Sequence, residues 1–281
     1  MQIKLKNHTF KIDPGQNKHY WTHINSIDWE PHTFSIFDYF IDKNDTVLDI
    51  GSWSGVLTLY SAKIAKEVHA LDPDPVCFSE LETNIALNPS ISKKIKAHKV
   101  AIYNKAQKLH LSARKAYGQS SSSVLKRKRD IEHSLEIETI SLYEFLKKEN
   151  ITKVDFIKID VEGAEFKILP TLGKALKKCN YPTLYVSFHY HFLNENIYHN
   201  HISSGFLNKL LMRLETIFGF LLFKNKIRKE IANLFNDLKP YEYIYKTDGT
   251  QVSFNELHLK PELIKNTDLV FSNKKWSSKN L

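Results

Sequence analysis

A chain of 281 residues with 42% hydrophobic and 25% charged residues can bury the core of one large α/β domain with additions, which excludes a disordered segment or a small stapled scaffold. The formal charge of +9 admits an anionic partner, yet lysine far outnumbers arginine, the balance of a solvated surface. Cys77 and Cys179 form no disulfide framework and no metal spacing and fit a reducing cytoplasm; no apolar run reaches a membrane span, and Met1 to Lys6 lacks the apolar centre of a signal peptide, so a cytoplasmic protein is expected.

Ile3 to Ile12 alternates in polarity as an edge strand or hairpin does. Trp29-Glu30-Pro31-His32 opens a helix carrying Phe34, Phe37 and Phe40. Thr46 to Ile50 is the first strand of a sheet, and its helix runs from Val56 to about Lys66. Val68 to Leu71 is the second strand. Asp72-Pro73-Asp74-Pro75 then turns the chain into a helix over Val76 to Leu87, with proline suited to its first turn. The third strand falls at about His98 to Ile102. Beyond it come a short strand at Leu109 to Leu111, a polar loop at Gly118 to Ser123 and the basic run Lys126-Arg127-Lys128-Arg129. Ile137 to Ile140 reads as strand and Leu142 to Lys148 as helix. Asp155 to Ile159 is nearly all apolar, as a strand covered on both faces is. A helix from about Gly163 to Lys178 and a fifth strand at Thr183 to Phe188 follow. Phe206 to Leu238 has amphipathic helical spacing, and Tyr241 to Phe254 with its Thr247-Asp248-Gly249 turn predicts a terminal hairpin before a last strand at Leu269 to Phe271.

Strands alternating with helices predict a Rossmann-like α/β fold: a mostly parallel, doubly wound sheet with a C-terminal antiparallel hairpin. Residues 1–45 are expected to form an N-terminal strand and helix cap on a domain over 46–281, with a helical insertion at about 193–238. That insertion is a candidate substrate lid or homodimer surface.

The most informative stretch is Asp49-Ile50-Gly51-Ser52-Trp53-Ser54-Gly55, a glycine turn between strand and helix. Glycine there permits positive φ and close approach of a ligand. Asp72, at the end of the second strand, can accept both hydroxyls of a ribose. A dinucleotide turn reads G-x-G-x-x-G, whereas this one is D-x-G-x-x-x-G. The leading acid would repel a pyrophosphate and attract the ammonium of a bound amino acid. S-adenosylmethionine carries that ammonium, a ribose and no phosphate. Asp49, Gly51 and Gly55 are therefore expected at its methionine end, with Glu30 folded over it. Asp72 is expected at the ribose, and Ala101 and Ile102 as an apolar wall to the adenine.

Four blocks carry a family resemblance: Val47 to Gly55; Leu71 to Pro75 with Asn84 and Asn88; Ile140-Ser141-Leu142; and Val154 to Glu165, whose K-I-D-V-E-G-x-E run is the most specific. The chain resembles the FkbM-type methyltransferases over roughly Trp29 to Phe188. The resemblance implies a class I methyltransferase that uses S-adenosylmethionine, in a family whose members typically methylate hydroxyl oxygens, often on sugars or natural products. Two departures stand out. The family usually has Ala-Asn where this chain has Ser52-Trp53, so that Trp53 is a candidate to flank the methionine chain, and glutamate where it has Asp72.

An alcohol is a poor nucleophile until its proton leaves, so a base or a metal beside the methyl donor helps. Lys158, Asp160 and Glu162 share one side of an extended strand end. Asp160 is the first candidate for base or metal ligand, with Glu162 beside it. His189, at the end of the fifth strand, is a candidate base as a neutral imidazole. Asp160 with His189 also offers a place for Mg²⁺. The function expected is O-methylation of a hydroxyl on a sugar, polysaccharide or glycosylated small molecule. RNA methylation is the alternative, raised by the charge and the basic run but without an RNA-binding module in the sequence. A protein that kept the fold for binding alone is the third reading.

Overall fold

Alternate residues of the central strands divide between two cores. Val47, Phe156 and Tyr185 face one, with Phe34 and Phe37; Leu48, Ile157 and Leu184 face the other, with Phe145 and Phe166. Period-two alternation of this kind places apolar layers on both faces of a sheet. The computed structural model describes residues 1–26, 29–127, 130–201, 210 and 230–276.

In chain order the strands are β1 (Gln2–Leu5), β2 (His8–Lys11), β3 (Thr46–Ile50), β4 (Glu67–Leu71), β5 (Ile95–His98), β6 (Ala101–Tyr103), β7 (Gln107–Leu111), β8 (Leu135–Ser141), β9 (Phe156–Ile159), β10 (Thr183–His189), β11 (Tyr243–Lys246), β12 (Gln251–Val252) and β13 (Lys265–Ser272). The main sheet runs β12-β11-β13-β10-β9-β3-β4-β5. Strands β5, β4, β3, β9 and β10 are mutually parallel, and β13 lies antiparallel between β10 and β11. Chain order reverses between β3 and β9, and the C-terminal strand ends on either side of that reversal open into a cleft.

The helices are α1 (Lys18–Ser26), α2 (Pro31–Phe40), α3 (Val56–Ile64), α4 (Pro75–Ala86), α5 (Pro89–Ser92), α6 (Leu142–Lys148), α7 (Glu165–Ile168), α8 (Gly173–Lys178), α9 (Tyr190–His201) and α10 (Phe254–Leu259). Local chemistry sets several of their starts. Asp74 caps α4 ahead of Pro75 by accepting from the Val76 and Cys77 amides, and Ser141 with Glu144 forms a capping box on α6. The N-terminal hairpin buries Ile3, Leu5 and Phe10 against Trp21 and Ile24 of α1.

Two expectations are corrected, and one helix is added. The third main-sheet strand is β5, ending at His98; Ala101 and Ile102 belong to β6, in a separate three-stranded sheet with β8 and β7. The helix expected over 163–178 is α7, a 3-10 turn at Leu169–Thr171 and α8, broken because Pro170 withholds an amide and Gly173 packs its amide on Asp237. Helix α1 was not read from the sequence, since its inward side has only Trp21 and Ile24 buried. Of the stretch 206–238, residues 206–209 and 211–229 lie outside the described residues. Among the described residues no helix is long and apolar enough to cross a membrane.

The basic run is not a solvated patch where it is described. Arg127 is fully buried, with Nε 3.0 Å from Asp130 Oδ1, Nη2 donating to Ser121 O at 2.7 Å and the guanidinium 4.2 Å above the Phe192 ring. Lys126 Nζ donates to Ile131 O. Removing one partner from a buried pair strands the other charge, at about 3–5 kcal/mol. Asp130→Ala should therefore lower unfolding stability by about 3–5 kcal/mol in urea titration. A loss under about 1 kcal/mol would mean that water reaches the Arg127 guanidinium.

Candidate functional site

A cleft of about 290 Å³ opens at the C-terminal ends of β3, β4 and β9. One side is the glycine turn. Gly51 has φ +79°, and a Cβ there would stand 1.8 Å from the Asp160 carbonyl oxygen, so the ends of β3 and β9 meet backbone to backbone. The amides of Gly51 and Ser52 both donate to Leu71 O, tying the turn to the end of β4.

Behind that turn sits a buried ion pair. Asp49 and Lys158 are register partners on β3 and β9, and Lys158 Nζ lies 3.1 Å from Asp49 Oδ1. The same ammonium donates to Gly51 O at 2.6 Å and lies 3.5 Å from Asp160 Oδ2. Thr58 Oγ1 donates to Asp49 Oδ2 at 2.5 Å. Burial alone would favour neutral Lys158, but the charges of Asp49 and Asp160 outweigh it and hold the ammonium protonated. Asp49 does not line the cleft; its carboxylate is spent on Lys158 and Thr58. Gly55 also lies off the cleft, where it starts α3 at φ +99° and leaves room for Leu81.

Glu30, Gly51, Trp53, Asp72, Ala101, Ile102, Asp160, Glu162 and His189 all line the cleft. Asp72 is 8% exposed; its Oδ2 accepts from the Trp53 amide and its Oδ1 from the Asp74 amide, both at 2.9 Å. Burial pushes its carboxyl up to about 7, against those amide hydrogen bonds. Trp53, at φ 48°, stacks on Trp21 and donates Nε1 to Gly118 O. Glu30 is raised to about 7 by burial and by the charges of Asp160 and Asp268.

At the far wall Asp160, Glu162 and His189 place ligating atoms within 4.8 Å of one another. His189 Nδ1 lies 3.0 Å from Glu165 Oε1, while Nε2 is 3.6 Å from Asp160 Oδ1 and 3.7 Å from Glu162 Oε1. Burial would lower the imidazole pKa, but the Glu165 hydrogen bond and the charges of Glu165, Asp160 and Glu162 raise it to about 10. The expectation of a neutral imidazole base at this position is corrected: ringed by three carboxylates, His189 keeps its proton at neutral pH. Glu162 is raised to about 8, chiefly by burial.

Sequence reasoning gave no role to several of these groups. Lys158 was detectable: it and Asp49 are charged residues inside otherwise apolar parallel strands, which calls for a partner. The polar loop at Gly118 to Ser123 is pinned. Asp74 is fully buried, and its Oδ2 accepts from Gly118 N and Ser122 Oγ while Oδ1 caps α4; Ser123 Oγ donates to Glu162 O. Tyr20, on the helix missed from the sequence, brings an aromatic edge to the mouth.

A parallel sheet in this order, with an antiparallel strand beside its last parallel one and a glycine turn facing an acid on the neighbouring strand, defines a class I methyltransferase fold. Within that class the chain belongs to the FkbM methyltransferases: the model of the methyltransferase FkbM domain matches residues 41–214. Among curated proteins it is similar to ribosomal protein L11 methyltransferase of Anoxybacillus flavithermus, 35% identical over 79 residues, and to that of Bacillus subtilis, 33% identical over 79 residues. Each match covers 28% of this chain, and the chain spans about a quarter (24%) of the length of those relatives. Among solved structures it is similar to a methyltransferase FkbM from Methylobacillus flagellatus, with TM-score 0.42, 15% identity and coverage of 82% of this chain and 44% of that one. It is also similar to a ribosomal protein L11 methylase from Lactobacillus delbrueckii, with TM-score 0.43, 16% identity and 97% of both chains covered.

Asp74→Ala removes acceptors for four donors at once. It should cost at least about 2 kcal/mol and raise amide exchange at Gly118 more than in the strands. Unchanged exchange at Gly118 would show that Ser123 and Arg127 hold the loop alone.

Proposed function

We propose that this chain transfers a methyl group from S-adenosylmethionine to a hydroxyl oxygen of a sugar, polysaccharide or glycosylated small molecule. Asp72 carries the reading of the donor end. An ionised carboxylate has about four acceptor positions; backbone amides take one on each oxygen. One remains on each for the two hydroxyls of a ribose. The Gly51 turn, crowded by Asp160 O, gives a bare backbone beside which the methionine end fits, with Glu30 and Trp53 along it. Ala101 and Ile102 supply an apolar wall for adenine. Asp49 acts through Lys158, which fixes the Gly51 carbonyl.

Bound S-adenosylmethionine supplies a methyl group already activated by the sulfonium charge. The protein's task is to hold an acceptor oxygen in line and draw off its proton. Asp160 is the candidate for that proton: it lines the cleft at the end of β9 and its carboxylate is a third exposed. His189 stands beside Asp160 and Glu162, with its ring fixed by Glu165. The FkbM membership supports hydroxyl methylation. RNA as acceptor is a second reading, favoured by the charge of +9; Lys126 and Arg127 lend it nothing, since both are engaged within the fold.

Calorimetric titration with S-adenosylmethionine tests the donor site. Asp72→Ala should weaken binding by about 10–100-fold, the worth of one or two charged hydrogen bonds; unchanged affinity would remove Asp72 from the ribose. Because the acceptor form is the carboxylate, affinity should rise from pH 6 to pH 8 through the Asp72 value of about 7. The rise should shrink in Asp72→Asn to the part contributed by Glu30, which is also raised to about 7 beside the methionine end.

Asp160→Asn should bind the donor normally and lose about 100-fold or more of its turnover, read as S-adenosylhomocysteine released over a panel of glycosides and polysaccharides. Full activity would take Asp160 out of the reaction. RNA binding that falls steeply with added salt would favour the second reading.

A further inference from the structure

The far wall of the cleft gathers three carboxyl groups around one imidazole. Asp160, Glu162 and Glu165 converge on His189. Lys158 is shared with Asp49 and Gly51 O, and Arg127 is held by Asp130. The geometry around the imidazole is uneven. Nδ1 is within hydrogen-bond distance of Glu165 at 3.0 Å, but Nε2 stands 3.6 and 3.7 Å from the two carboxylate oxygens it faces. Those separations are too long for hydrogen bonds. They suit ligands around a shared ion, since donors about 2.1 Å from a metal at angles of 90° to 120° stand roughly 3.0–3.7 Å apart.

We propose that Asp160, Glu162 and His189 hold a divalent cation in this cleft, and that Glu165 is the positioning residue that turns Nε2 toward it. A metal-bound histidine commonly gives its other ring N–H to a carboxylate. Glu165 fills that place: it is fully buried and fixed by the Val161 amide at 2.9 Å, and its Oε2 has no hydrogen-bond partner among the described residues. Backbone geometry aims the other two donors. Glu162 sits at φ 54°, with its carbonyl held by Ser123 Oγ, and Asp160 N is bonded to Ile50 O at the end of β3.

One imidazole with two carboxylates favours Mn²⁺ over the Mg²⁺ expected from sequence, because Mg²⁺ prefers an all-oxygen shell. Three protein donors leave positions open to water or to an acceptor hydroxyl. An ion there displaces the proton on Nε2. The use of the site rests on the methyl-transfer reading: a hydroxyl oxygen bound to the ion loses its proton more readily, with Asp160 alongside to receive it.

The test is Mn²⁺ binding to the chelator-washed full chain, followed by loss of the free-ion electron paramagnetic resonance signal. One saturable Mn²⁺ per chain is expected. Asp160→Asn and Glu162→Gln, both at partly exposed positions, should each lower affinity by about 100-fold, and Glu165→Gln, which keeps all three ligands, by about 10–100-fold. Mg²⁺ should compete poorly. Absence of Mn²⁺ uptake overturns the proposal, as does uptake that survives the Asp160→Asn, Glu162→Gln double variant. S-adenosylmethionine affinity of the metal-free chain is measured beside it. Its absence would count against the methyl-donor reading alone, because Mn²⁺ uptake is read without donor or acceptor.

Discussion

Much of the site depends on one buried ammonium. Lys158 lies where β3 and β9 run side by side at the reversal of the sheet, and it reaches Asp49, Gly51 O and Asp160 at once. Taking two charges out of water costs several kcal/mol for each ion, and only close partners offset it. Thr58 and the Gly51 carbonyl complete the set, so the pair is stable only with the glycine turn in its observed shape. The glycine turn and the Asp160 carboxylate are thereby fixed by the same cation.

The rest of the cleft is organised as acids held against their solvation preference. Asp72, Glu30 and Glu162 are each pushed upward by burial, and the sheet and its loops make that burial unavoidable. Such groups gain when a cation or a hydroxyl donor arrives, because the ligand supplies what water no longer does. The two sides differ in kind. The Asp72 side is built from backbone amides and is suited to hydroxyls; the His189 side is built from side chains and is suited to a cation.

What the sequence made legible follows from how local each determinant is. The strand-turn-helix around Gly51, the proline-led start of α4, the helix Leu142–Lys148 and the terminal hairpin rest on short-range spacing, and the structure has them in place. Strand three was misplaced because His98 to Ile102 joins the end of β5 to the start of β6, and nothing in a single run of apolar residues says which sheet each half joins. The break at Pro170 was a local signal passed over. Asp49 was assigned to a ligand because its position beside the turn was visible while its partner, more than a hundred residues away, was not. The protonation of His189 depends on three carboxylates, two of them before α7 and one within it, so residue type alone suggested a neutral base.

Asp74 has a consequence for how this scaffold can change. A single carboxylate caps α4, two residues after Asp72, and with its other oxygen anchors the serine loop that forms the opposite rim. Gly118 N and Ser122 Oγ are gripped there, and Gly118, at φ +89° with its Cβ position 2.5 Å from Val76 Cγ1, has to be glycine. Trp53 Nε1 donates to Gly118 O, so the same anchor is tied to the glycine turn, and Ser112 pairs with Ser123 ahead of it. A change of length in that rim is therefore felt at the α4 cap and the glycine turn together, so the rim and the floor of the cleft are built as one piece.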